Sequence, residues 1–246
     1  MKTIKNTPFL VIILLVAMSC HKDKPVTKVV KFDSTTYQTL GTFDPTGKPN
    51  YLVTPDVISS GMQSFIDNTL QDQVDLRTTH PELLTTNAIA DIKITQSSDV
   101  FITYVSHGGG KTNTFSFYTY PTNQPPASTN DIKTITYVFP NSGRYTTLTQ
   151  GDKVKLGRFE PGTSIGFVIL QNGWDTTTNK LNNKVVHFCS NDVLNPEVDP
   201  KLKKHAVLVN YPAENKVLIG FEDVDRTLPE CDNDFNDLVV YCTVTP

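Results

Sequence analysis

From Asp91 to the C-terminus, apolar and polar residues alternate in short runs, and clusters of Gly, Asn, Asp and Pro separate the runs. Successive side chains on a strand point to opposite faces, so a period of two marks a half-buried strand. Strands are predicted over 92–95, 100–106, 114–120, 132–139, 153–159, 164–171, 184–189, 206–211, 216–221 and 238–244. The breaks between them include Gly108-Gly109-Gly110, Pro125-Pro126, Asn172-Gly173 and Asn182-Asn183, residues that supply turns. A series of about ten short strands with almost no helix predicts an all-β fold, a β-sandwich or jelly-roll-like domain over 91–246. A short helical segment precedes it. Thr54 reads as an N-cap with Pro55 at the first helical position, and Ile58, Met62, Phe65, Ile66 and Leu70 follow at helical spacing. Residues 51–90 are therefore a helical and extended lead-in, and His80-Pro81 stops any continuation.

The N-terminus bears on the compartment. Residues 1–5 carry Lys2 and Lys5, and the apolar run 8–18 is too short to span a bilayer. It ends in Ala17-Met18-Ser19-Cys20, which resembles a bacterial lipoprotein signal. That resemblance implies cleavage after residue 19, lipid on Cys20 and a membrane-anchored envelope protein. The alternative is an ordinary secretory signal. Residues 20–50, with Lys, Thr and Pro and no apolar period, read as a tether. The formal net charge of −3 without a Lys/Arg patch predicts no nucleic-acid partner. Three cysteines remain beyond Cys20, an odd number, so one disulfide and one buried thiol are expected. Cys189 and Cys231 sit at strand ends beside polar loops and are the expected pair, although spacing leaves the pairing open; Cys242 alternates with Leu238 and Val240 as a core position.

The densest chemistry lies between the last two strands. Glu222-Asp223 closes one apolar run, and Asp232-Asn233-Asp234-Phe235-Asn236-Asp237 opens the next, with Arg226 the one cation between them. Carboxylates packed so closely repel, and a divalent cation relieves the repulsion. Ca²⁺ takes six to eight oxygens from carboxylates, amides and carbonyls, all of which this loop offers. Asp232, Asp234 and Asn236 have EF-hand spacing, but Asp237 replaces the required Gly and a strand follows, so the motif is a different one. The expected ligands are Asp232, Asp234 and Asp237, with Glu222 or Asp223 adding a carboxylate and Asn236 an amide oxygen. In an extended run Asp232, Asp234 and Asn236 share one side. Mg²⁺ fits less well, because it demands tighter octahedral geometry. The metal-free alternative is a loop of Asx-turns.

Other patterns carry less. His107-Gly108-Gly109-Gly110, Gly162-Thr163-Ser164-Ile165-Gly166, Asp199 and His205 follow the order of an α/β-hydrolase, with Ser164 as nucleophile. A nucleophile elbow needs a helix after the Ser, and here a strand follows, so Gly162 and Gly166 read as turn and packing residues. Gly110-Lys111-Thr112 lacks the earlier Gly and the helix of a nucleotide-binding loop, so no nucleotide is expected. The five histidines show no zinc spacing. Trp174 after Asn172-Gly173 is a core or rim anchor, or an exposed platform for a sugar.

Several of these segments together have a family likeness: the lipoprotein signal, 100–105 with its Gly-rich loop, 113–120, 137–141, 161–174, 190–195 and the terminal acidic motif. The chain resembles the LruC-domain lipoproteins of bacterial outer membranes, over roughly residues 85–246, although it is shorter at the N-terminus and carries an extra Cys231. The resemblance implies a surface location, a β-sandwich of unknown function and Ca²⁺ binding. The expected function is thus a non-enzymatic cell-envelope module for adhesion or for glycan or protein binding. A secreted serine hydrolase using Ser164 is the alternative.

Overall fold

The computed structural model describes residues 30–246. The signal segment 1–19 and Cys20 lie outside them. Fourteen strands run in chain order among the described residues: β1 Thr36–Thr39, β2 Leu52–Val53, β3 Ile92–Lys93, β4 Ser98–Ser106, β5 Thr114–Pro121, β6 Thr134–Phe139, β7 Lys153–Phe159, β8 Thr163–Leu170, β9 Trp174–Asp175, β10 Lys180–Leu181, β11 His187–Cys189, β12 Ala206–Tyr211, β13 Lys216–Phe221 and β14 Leu238–Thr245. Helices α1 Ser60–Thr69 and α2 Leu76–Thr79 lie between β2 and β3. No helix among the described residues is long and apolar enough to cross a membrane.

Twelve of the strands form an all-β sandwich of two six-stranded sheets, and β9 and β10 pair with each other in a separate two-stranded sheet. The first runs β1-β6-β5-β8-β11, with β3 on the same edge of β8 as β11 but nearer its start. The second runs β12-β13-β14-β4-β7-β2, with every pairing antiparallel. Alternation decides which side chains meet. Ile165, Phe167 and Ile169 of β8 face Ile219 and Phe221 of β13 and Leu238, Val240 and Cys242 of β14 in one core between the sheets. Burying such side chains contributes roughly 1.5–3 kcal/mol each. The opposite parity is also buried. Val168, Leu170 and Cys189 join Tyr118 and Tyr137 outside the first sheet. On the outer face of the second, Val239 and Tyr241 pack beneath Met62, Ile66 and Leu70 of α1.

Several expectations need correction. The ten predicted strands are present, but the one expected over 184–189 begins only at His187. The helix is capped by Ser59, whose side chain accepts from Met62 N, and not by Thr54. Asp56 explains the delay: its backbone N–H donates to Gly151 O, and its carboxylate takes Thr103, Lys153 and Tyr241. The segment at Asp56 is thereby held to the second sheet before the helix begins. The tether is also shorter than expected. β1 pairs in parallel with β6, and β2 antiparallel with β7, so strands before the helix complete both sheets.

Cys189, Cys231 and Cys242 are all free and buried, so the Cys189–Cys231 bridge is not formed. Strand parity gives the reason. Phe188 stacks on His205 at 3.9 Å, beside the last loop, which turns the next residue, Cys189, to the opposite face. Cys242 lies in the central core, as its alternation predicted. Trp174 is buried edge-on to Phe43 and serves as an anchor.

Candidate metal centre

The strand ends assemble the site. β13 and β14 are neighbours in register, Phe221 opposite Leu238, so residues 222–237 leave and rejoin the same end of the second sheet. β4 finishes beside them, with Ser106 opposite Val239. The chain therefore runs from β4 directly into His107-Gly108-Gly109-Gly110 against the acidic loop. Gly108 N–H donates to Asn236 O at 3.0 Å. A side chain on Gly108 would overlap Asn236 Oδ1; one on Gly109 would overlap Asp237 Oδ1 and come within 2.7 Å of Asp223 Oδ2. Only glycine lets this backbone approach the carboxylates so closely. The segment that looked like a hydrolase oxyanion loop is the wall of the acidic site.

The loop is not extended, which overturns the premise that side-chain parity aligns its ligands. Asn233 has φ 61° and Phe235 φ 57°. Asn adopts this left-handed region readily, whereas for Phe it costs about 1–2 kcal/mol. Burial offsets that cost. Phe235 is fully buried among Met62, Leu70 and Leu76, worth roughly 1.5–3 kcal/mol. Its carbonyl lies where a side chain on Gly220 would project. Arg226 supports the loop from behind: it donates to Asn233 Oδ1 at 2.8 Å and Lys204 O at 2.9 Å, and its guanidinium lies 5.3 Å from the Phe235 ring centre.

Within this frame Glu222, Asp232 and Asp234 each bring an oxygen within 4.8 Å of the others. Glu222 is 1% exposed and Asp234 2%, while Asp232 is open to solvent. Asp223, also 1% exposed, accepts from Asn113 Nδ2 at 2.5 Å, and Asp237 accepts from the Asp223 backbone N–H at 2.7 Å. Asp234 holds Asn236 N at 3.0 Å and Gln73 N at 2.8 Å. Asp225 holds Thr227 N at 2.8 Å. The i to i+2 bonds of Asp225 and Asp234 are Asx-turns. They do not account for Glu222 Oε2 and Asp223 Oδ1, which are buried without a hydrogen-bond partner. Asn236 turns its amide towards Asp72 at 3.4 Å.

Electrostatics follow from this crowding. Burial, then the Asp237 charge, raises the Glu222 carboxyl far above its usual range. Burial, then the Asp223 charge, raises Asp237. Asp223 is raised by burial against the lowering effect of Asn113. Asp234 is pushed up to about 6 by burial, against the lowering effect of the Asn236 and Gln73 N–H groups. Burial is the largest cause of every one of these shifts, and Lys111 acts on Asp223 as a countercharge that lowers it. The donor set is all oxygen, which fits a hard divalent cation.

The other sequence candidates lie elsewhere or are already engaged. Ser164 is buried at the start of β8, with its Oγ 2.9 Å from Thr122 Oγ1. His205 is committed through Nδ1 to Glu222 O at 3.0 Å and through Nε2 to Glu197 at 2.8 Å. Gly162 has φ 86°, and a side chain on Gly166 would overlap the Tyr118 ring, so these are turn and packing residues. The sequence reading missed Asn113, Gln73 and the anchoring role of Phe235. The triple glycine directly after a strand was the one signal that pointed to the wall.

A two-sheet β-sandwich with a carboxylate-lined loop at one end is the class of protein that fold and site define. A family profile described as "Domain of unknown function (DUF4114)" matches residues 159–245, from the end of β7 through β14. The C-terminal part of the chain is thus similar to an uncharacterised domain that includes the acidic loop and both flanking strands. No curated protein and no solved structure matches the chain.

Proposed function

We propose that this chain is a non-enzymatic binding module of the bacterial cell envelope, with Ca²⁺ organising its terminal loop. Lipid on Cys20 would hold it to the outer membrane, and its partner would be a surface glycan or protein. The carrying observation is the pair of buried, partnerless carboxylate oxygens on Glu222 and Asp223 beside Asp232, Asp234 and Asp237. A buried ionised carboxylate is costly unless paired or bound to a metal. The lipoprotein-like signal ending in Ala17-Met18-Ser19-Cys20 supports the location. Against the hydrolase reading stand the placement of Ser164 in a strand and the two bonds that occupy the His205 ring. Turnover of an ester panel that Ser164→Ala abolishes would reverse this choice, and glycan-array binding would support it.

Calcium binding makes a direct prediction. A ligand that binds only the folded state stabilises it by about 2.7 kcal/mol at a hundredfold excess over Kd. The melting temperature should rise by several degrees between EGTA and millimolar Ca²⁺. An unchanged value, with Asp234→Ala melting like the parent, would leave only Asx-turns.

A further inference from the structure

We propose that the cleft between α1, the end of β4 and the start of β14 binds a neutral sugar, and that an ion in the acidic loop keeps this cleft in shape. This deepens the binding-module reading above and rests on its calcium site. The cleft has a volume of about 780 Å³, within the roughly 300–1,000 Å³ usual for small-ligand sites. Its floor is apolar: Ile66, Leu70, Val105 and Val239 line it and belong to the core beneath α1. Around that floor stand five amide side chains, Gln63, Asn68, Gln71, Gln150 and Asn236, with Asp67 and Asp72. An amide offers both a donor and an acceptor, and a carboxylate adds acceptors. Sugar hydroxyls, which donate and accept, return those pairings, and the C–H face of the ring suits the floor. No Lys or Arg lines the cleft among the described residues, so an anionic sugar would meet two carboxylates and no countercharge. A cation fits less well than a hydroxylated ligand, because amides outnumber acids and both acids already accept from amides. Asp67 takes Gln63 Nε2 at 2.7 Å, and Asp72 takes Asn236 Nδ2 at 3.4 Å.

Hydrogen bonds tie these groups to the acidic loop. Gln150 Nε2 donates to Gln63 Oε1 at 3.0 Å, which joins the segment before β7 to α1. Asp234 fixes the opposite end. One of its oxygens accepts from Asn236 N at 3.0 Å, and the other accepts from Gln73 N at 2.8 Å. Asn236 lines the cleft, and so do Gln71 and Asp72, directly before Gln73. A single carboxylate thus holds both segments, and it is one of the proposed calcium ligands. Without an ion it is repelled by Glu222 and Asp232, whose oxygens lie within 4.8 Å. A cation that removes the repulsion keeps Asp234, and with it both segments, in place. Ion and sugar then strengthen each other's binding by the same factor.

The test is an array of neutral glycans, acidic glycans and oligolysine, probed with the whole protein in CaCl₂ and in EGTA, with melting temperatures measured in both. Neutral glycans should bind, about tenfold or more weakly in EGTA. Gln63→Ala and Gln150→Ala alter side chains on two separate segments, neither of them buried. Each should weaken the same glycans by about fivefold and leave the Ca²⁺-induced rise in melting temperature unchanged. Preference for acidic glycans or oligolysine, no glycan bound at all, or parental binding by both variants would overturn the sugar site. The calcium reading survives those results wherever Ca²⁺ still raises the melting temperature. Equal glycan binding in CaCl₂ and EGTA, by a protein that Ca²⁺ stabilises, would overturn the coupling alone. A melting temperature that Ca²⁺ leaves unchanged overturns the calcium reading and the coupling together, and the two variants then decide the sugar site.

Discussion

Phe235 links the chemistry of the loop to the core. It sits at a backbone angle that disfavours its side chain, and its burial among residues of α1 and α2 helps hold it there. Phe235→Ala should cost about 3–5 kcal/mol, because the cavity is added to a strain that alanine does not relieve. Denaturant unfolding would show it, and Ca²⁺ affinity should fall with it. A loss under 1 kcal/mol would mean that the anchor is not holding the loop. The glycine wall offers a second comparison at the same scale. Gly108→Ala drives a methyl into Asn236, including its backbone oxygen at 3.1 Å, whereas nothing lies within 4 Å of a side chain on Gly110. The first substitution should destabilise clearly and the second stay within about 0.5 kcal/mol. Equal melting of the two variants would contradict the close approach.

Helix α1 shows how an element is placed by what surrounds it. Local sequence offers two N-caps, Thr54 with Pro55 and then Ser59, and propensity alone prefers the first. The second is used because Asp56 is fastened to β4, β7 and β14 through Thr103, Lys153 and Tyr241. Ser59→Ala should therefore destabilise by about 1 kcal/mol; its hydroxyl also donates to Glu214, so some of that loss comes from the second bond. Thr54→Ala, at an exposed position, should stay within about 0.5 kcal/mol. Urea unfolding of the two variants would separate the caps, and the reverse order would restore Thr54.

The acidic loop gives the molecule a pH response near neutrality. A carboxyl whose pKa is raised by folding holds its proton more tightly in the folded chain than in the unfolded one. Its contribution to stability is complete below the unfolded value near 4 and is lost as pH rises through the folded value. For Asp234 that window runs from about 4 to about 6, and Glu222, Asp223 and Asp237 extend it upwards. Metal-free protein should thus melt progressively lower from about pH 6.5 to pH 8, above the range in which His187, held neutral by burial, acts in the opposite sense. With saturating Ca²⁺ the slope should flatten or reverse, because the ions bind the deprotonated groups. Parallel slopes in both conditions would mean that these carboxylates bind no cation.

Binary patterning was enough to determine the all-β class, ten of the strands and the core position of Cys242, because side-chain alternation is a local property that burial of one face preserves. Composition likewise placed the acidic residues in the loop between the last two strands. Tertiary structure decided the rest. β1 and β2 have almost no pattern of their own and are strands only because β6 and β7 offer them free edges. Cys189 turns away from Cys231 because β11 presents Phe188 to His205. The placing of the carboxylates depends on left-handed residues held by Phe235 and on a glycine segment more than a hundred residues earlier in the chain, brought alongside by the pairing of β4 with β14. Contacts at that sequence distance arise from sheet register, which no local window of sequence contains.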